Sequence, residues 1–221
     1  IDSIEIDRDN LKENIPIKVM LNVGNPDISF KSCILPNDGV GLARLEFIIN
    51  NYIKIHPLSL INYPNIPSDI KDQVYAEIGE HDNGEWYFIK RLARGISKIA
   101  SAFNPNEVIV RFSDFKSNEY KNLIGGSYYE PTEENPMIGW RGASRYYSDE
   151  YRKCFELECE AIKYVRNVMN MKNVVVMIPF CRTVEECIKV IDIMKSCGLE
   201  RGKDLSLIHI SEPRRRRGIS Y

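Results

Sequence analysis

Two runs of β-branched residues constrain this chain more than any other feature: Val108-Ile109-Val110 and Val174-Val175-Val176. Neither is interrupted by a polar residue, so each is expected to be buried on both faces, as strands of a parallel sheet are. Stretches of helical period separate and follow them. Residues 85–103 place apolar side chains at 88, 89, 92, 96, 99 and 100, which predicts a helix. A second helix is predicted over 148–170, with Ser148 as its N-cap and acids in its first turn. A third is predicted over 183–198, with Thr183 as N-cap, Glu186 completing a capping box and Gly198 just past its end. Upstream, 15–26 reads as a buried strand broken by Gly24-Asn25-Pro26, and 39–49 opens with glycines before an apolar stretch. Alternating apolar strands and helices predict an α/β fold with a parallel sheet, either an open doubly wound sheet or a partial (β/α)8 barrel. In both, chemistry gathers at the C-terminal ends of the strands.

Two segments lack this regularity. Residues 56–85 carry His-Pro, Tyr-Pro and Ile-Pro pairs and read as a surface excursion with a short helix. Residues 117–150, rich in Gly, Asn, Pro, Tyr and Glu, read as a long functional loop. The 221 residues hold 30 Lys+Arg against 31 Asp+Glu, a balance that argues against a nucleic-acid or membrane-surface partner. No apolar run approaches the roughly 20 residues of a membrane span. The opening IDSIEIDRDN has no signal-peptide pattern and predicts a piece of a longer cytoplasmic protein. Six cysteines without CxxC or zinc spacing are expected to be free thiols. His56 and His81 are expected at the surface, and LECE reads as helix surface, its Glu158 and Glu160 on different faces and so not a metal pair.

Three arginines stand out. Arg111 ends the apolar strand 107–113 and is followed at once by Phe112, Ser113 and Asp114. A guanidinium at a strand's C-terminal end grips a carboxylate or phosphate with two parallel hydrogen bonds, unless it forms a structural ion pair with Asp114 or Glu119. Arg44 lies between apolar neighbours in GLARLEF, with Glu46 as its alternative structural partner. Arg141 sits between Trp140 and Gly142 in the long loop, where glycine permits close approach of a ligand. Together they suggest a small anionic substrate.

LPNDGVGLARLEFIIN (35–50), RFSDFKSNEYKNLIGG (111–126), EENPMIGWRGASRY (133–146) and FELECEAIKYVRN (155–167) resemble the phosphoenolpyruvate synthases, the pyruvate, water dikinases. The resemblance covers roughly residues 15–205. Pyruvate, phosphate dikinase and Enzyme I of the sugar phosphotransferase system share the Gly-Leu-x-Arg and Asn-Pro-x-x-Gly-x-Arg-Gly patterns, whereas FKSNEY resembles the synthase branch. It implies a PEP-utilising (β/α)8 barrel truncated on its C-terminal side, with 1–205 as its N-terminal part. It further implies substrate binding by Arg44, Arg111 and Arg141. In that family ATP phosphorylates a histidine on another domain, absent from these residues, and the phosphohistidine donates to pyruvate with help from Mg²⁺. A homodimer is also open.

The chain departs from the family after GLERGKDL. The Mg²⁺-binding acids and the catalytic Cys of the family find no counterpart. Glu212 falls where a metal-binding Glu would be, but Ser211 stands for Cys and Pro213-Arg214 for Ile-Pro, so the match reads as accidental. Residues 206–221, with four Arg and one Glu, read as an unmatched basic tail. The half-barrel is expected to be inactive alone and poorly soluble.

Overall fold

A computed structural model describes residues 16–79, 83–200, 202 and 207–209. Five parallel strands form one sheet in sequence order: β1 (Leu21–Val23), β2 (Val40–Arg44), β3 (Val108–Arg111), β4 (Val174–Ile178) and β5 (Leu207–His209). The α/β class with a parallel sheet is therefore observed. The five longer helices are α1 (Pro57–Asn62), α2 (Ser68–Ile78), α3 (Gly84–Phe103), α4 (Arg152–Asn167) and α5 (Val184–Ser196). No described helix is long and apolar enough to cross a membrane.

Side-chain alternation along the strands separates two apolar layers. Val108, Val110, Val174, Val176 and Ile178 join the main core, with Leu92, Ile96 and Ile99 of α3 and Phe155, Ala161 and Ile162 of α4. Ile109, Val175 and Met177 form a smaller cluster with Met20 and Leu42. Gly95 lets α3 close on the short helix Leu45–Ile48 that follows β2: a Cβ there would sit 2.7 Å from Ile48 Cγ2. In register, Arg44 lies opposite Arg111, and Arg111 opposite Met177. Two of the three singled-out arginines are thus neighbours at the C-terminal edge of the sheet.

Several expectations need correction. The first strand covers only Leu21–Val23, because Asn25 accepts a hydrogen bond from the Asp27 amide and turns the chain into a short 3-10 helix at Pro26–Ile28. The supposed surface excursion is two helices whose Leu60, Ile70, Val74 and Ile78 are buried. Ser148 does not cap α4, which begins at Arg152; its hydroxyl donates instead to the Arg145 carbonyl at 2.9 Å. Thr183 does cap α5, accepting from the Glu186 amide at 3.2 Å. The Glu186 carboxylate, however, takes the Arg182 amide (2.6 Å) rather than closing the box on Thr183. Leu207–His209 of the expected tail form a strand against β4, while Glu212, the basic run and His81 lie outside the described residues. All six cysteines are free.

Candidate functional site

Beyond Arg111 the chain leaves the sheet with Ser113 and Asp114 both buried. Glu158 on α4 fixes this exit, accepting from the Ser113 amide at 3.0 Å and from its hydroxyl. Glu158 is completely buried, so the exposed-face reading of LECE fails for it, while Glu160 pairs with Lys163 at the surface. Burial pushes the Glu158 carboxyl up to about 7, against the opposing effect of the two Ser113 hydrogen bonds.

Asp114 is the hub of the arginine cluster. Arg141 grips it bidentately, Nε to Oδ1 at 2.7 Å and Nη2 to Oδ2 at 3.0 Å. Arg111 Nη1 reaches Oδ2 at 3.1 Å, and Arg111 Nη2 donates to Glu46 Oε1 at 3.0 Å. The Asp114 amide donates to the same Glu46 oxygen at 2.6 Å. Of the partners expected for Arg111, Asp114 is present; Glu119 instead closes the turn at Lys116, accepting its amide at 2.8 Å. Glu46 serves Arg111 rather than Arg44. Its Oε2 is buried without a hydrogen-bond partner among the described residues. Burial raises the Glu46 pKa, with the Arg111 guanidinium opposing.

Arg44, Arg111 and Arg141 line one cleft of about 320 Å³ together with Glu46, Asn50, Asp114, Lys116 and Glu119. Arg44 is exposed and makes no ion pair with a described residue. The cleft therefore offers two guanidiniums oriented by buried carboxylates and a third that is uncompensated, an arrangement suited to an anion.

The described carboxylates do not make a magnesium site. Mg²⁺ asks for near-octahedral oxygen ligands, yet both Asp114 oxygens and Glu46 Oε1 are occupied by guanidinium or amide donors. No cluster of three or more metal-ligating side chains occurs among the described residues.

A second polar group, missed in the sequence, supports the long loop. Arg145 is fully buried, and both its terminal nitrogens meet Glu130, at 2.5 and 2.8 Å. Its guanidinium lies 4.0 Å from the Trp140 ring centroid, 4.6 Å from Tyr120 and 5.0 Å from Tyr151. His56, expected at the surface, is buried here. Its Nδ1 accepts the Leu58 amide at 3.2 Å, capping α1, so Nε2 carries the proton that Glu130 Oε1 receives at 3.0 Å. Burial lowers the His56 pKa despite Glu130 beside it. Burial also disfavours ionised Glu130, but hydrogen bonds from His56 and Arg145 outweigh it and hold its pKa below the usual carboxylate value. The only sequence signal for this group was an Arg and a Glu inside a loop rich in Tyr.

The family model described as PEP-utilising enzyme, PEP-binding domain, matches residues 5–208. The chain is 54% identical over 191 residues to the phosphoenolpyruvate synthase of Pseudomonas aeruginosa, covering 86% of this chain and 24% of that protein. It is 51% identical over 199 residues to the Deinococcus radiodurans phosphoenolpyruvate synthase (90% and 26%). With the Escherichia coli phosphoenolpyruvate synthase the identity is 50% over 200 residues (90% and 25%). The chain thus spans about a quarter of the length of these relatives. It belongs to the PEP-utilising enzyme family, whose PEP-binding domain residues 5–208 match.

Proposed function

We propose that these residues are the substrate-binding part of a phosphoenolpyruvate synthase, with Arg44, Arg111 and Arg141 holding the carboxylate and phosphoryl groups of pyruvate and PEP. The observation that carries this reading is the convergence of three arginines, distant in sequence, on one cleft at the C-terminal edge of a parallel sheet. The strand order supports a partial (β/α)8 barrel: a doubly wound sheet reverses its order at a switch point, and here β1 to β5 follow one another without reversal.

In this reading the full-length protein turns ATP, pyruvate and water into PEP, AMP and phosphate in the cytoplasm. ATP and a phosphohistidine act on another domain of the same chain, and any Mg²⁺ is held by residues beyond those described. The part played by the described residues is positional and electrostatic, which is most of what phosphoryl transfer asks of a protein. Asp114 fixes the orientation of Arg111 and Arg141 before substrate arrives, so little side-chain freedom is lost on binding. Arg44 supplies the charge that no carboxylate among the described residues pairs with.

The test is product analysis of the full-length enzyme. ATP and pyruvate alone are expected to give PEP, AMP and phosphate in equal amounts. Absence of AMP would overturn the proposal, and a requirement for added phosphate would reassign the protein to the pyruvate, phosphate dikinases.

A further inference from the structure

The geometry points to Arg182 as a positioning residue for the anion cleft, one that holds the loop bearing Arg141 in its binding conformation. This rests on the reading of Arg141 as a substrate ligand.

Arg182 lies beyond the end of β4 and does not line the cleft. Its guanidinium reaches across to the loop. Nη1 donates to Ser144 Oγ at 3.1 Å, and Nη2 to the Ile138 and Gly139 carbonyls at 3.2 and 2.9 Å. Every one of these acceptors flanks Arg141. Ser144 Oγ also accepts from the Arg141 amide at 3.3 Å and donates to the Arg141 carbonyl at 3.0 Å. The neighbouring Met137 carbonyl takes Arg141 Nη1 at 3.2 Å. Two guanidiniums thus divide the carbonyls of one short turn, Arg182 from outside and Arg141 from the cleft side.

The base of Arg182 is itself fixed. Its amide donates to Glu186 Oε2, and Tyr147 Oη donates to Glu186 Oε1 at 3.1 Å. The segment before it is the platform on which the loop rests. The Ala143 amide donates to the Pro179 carbonyl at 3.1 Å. The Arg141 guanidinium lies 4.2 Å from the Phe180 ring centroid. Gly142, at φ +59°, sits so close that a Cβ would come within 2.6 Å of the Pro179 carbonyl oxygen. Backbone contact seats Gly142 and Ala143; on the far side of Arg141, Trp140 is held by Glu133 and Arg145, and the Ile138 and Gly139 carbonyls by the Arg182 fork. A lysine offers a point charge on a flexible stem and cannot span a hydroxyl and two carbonyls in this way.

The experiment measures PEP binding to the full-length enzyme by calorimetry for Arg182→Ala, Arg182→Lys and Arg141→Ala, with thermal melts alongside. Displacement of a ligand-bearing loop by even 1 Å is costly. Both Arg182 variants are accordingly expected to bind PEP at least about tenfold more weakly while kcat at saturating pyruvate falls less than kcat/KM. Millimolar guanidinium is expected to restore binding to Arg182→Ala but not to Arg182→Lys, whose side chain still occupies the place of the fork. Should Arg182→Ala fail to fold, Arg182→Lys alone decides. Tight PEP binding by the Arg182 variants, with binding lost in Arg141→Ala, would overturn the positioning role and leave the cleft reading intact. Tight binding by Arg141→Ala as well would overturn that reading and this inference with it.

Discussion

Arg141 and Asp114 form a bidentate pair, Nε–Oδ1 at 2.7 Å and Nη2–Oδ2 at 3.0 Å, and the Asp114 carboxylate is wholly shielded from solvent. The same carboxylate holds Arg111. Removing it takes the carboxylate from the largely buried Arg141 guanidinium, while Arg111 keeps Glu46. Asp114→Ala is therefore expected to destabilise the fold by about 3–5 kcal/mol, read as a lower urea midpoint. An unchanged midpoint would mean the pair carries no structural weight.

Arg44 gives the opposite pattern. It is exposed and has no described ion-pair partner, so Arg44→Ala is expected to leave stability within about 0.5 kcal/mol. Losing a charge-assisted hydrogen bond to substrate costs about 1.5–3 kcal/mol, roughly a 10- to 100-fold weaker Kd for PEP. Calorimetry with PEP at two salt concentrations checks this. A variant that binds as tightly as the parent would remove Arg44 from the site.

The core strands and the three arginines were legible because each departs from a local pattern. Val108–Val110 and Val174–Val176 are continuous apolar runs, and a guanidinium at the end of such a run has few places to go. What stayed hidden depends on partners far apart in the chain. His56, Glu130 and Arg145 meet across three segments, and nothing near His56 in sequence reveals a buried carboxylate. Glu158 was misread because helical spacing says which residues share a face, not how deep that face is buried. Ser148 looked like a cap, but its hydroxyl was already committed to the turn before it.

The His56–Glu130–Arg145 group makes its own demand on the loop. Glu130 is the only carboxylate in an ion pair with Arg145 among the described residues, and it sits between the two cationic or donor partners with about 1% of its side chain exposed. Glu130→Ala leaves Arg145 charged among Trp140, Tyr120 and Tyr151, whose rings offset only part of the lost ion pair. A loss of about 3–5 kcal/mol is expected, together with faster proteolysis within 117–150. Parent-like resistance to protease would show that the loop is held by its backbone contacts instead.

Glu158 and His56 pull the pH dependence of stability in opposite directions. The Glu158 carboxyl titrates near 7 when folded, against an ordinary value of 4.5. Between those values the folded chain holds a proton that the unfolded chain has released, so this contribution is full below 4.5 and is lost as pH rises to about 7. The shift corresponds to about 3 kcal/mol at ~1.4 kcal/mol per pH unit. His56 has its pKa lowered from 6.5, so the unfolded chain protonates first and stability is lost on acidification below that value. Glu158→Gln cannot ionise and removes the first effect while keeping the second. Urea unfolding of this variant at pH 5 to 8 is expected to show stability rising with pH up to about the ordinary His value and flat beyond it, whereas in the parent the two effects offset below that value and stability falls only as pH approaches 7. If parent and variant changed in parallel across this range, Glu158 would have to be ionised in the folded protein throughout, and its two hydrogen bonds from Ser113 would outweigh its burial.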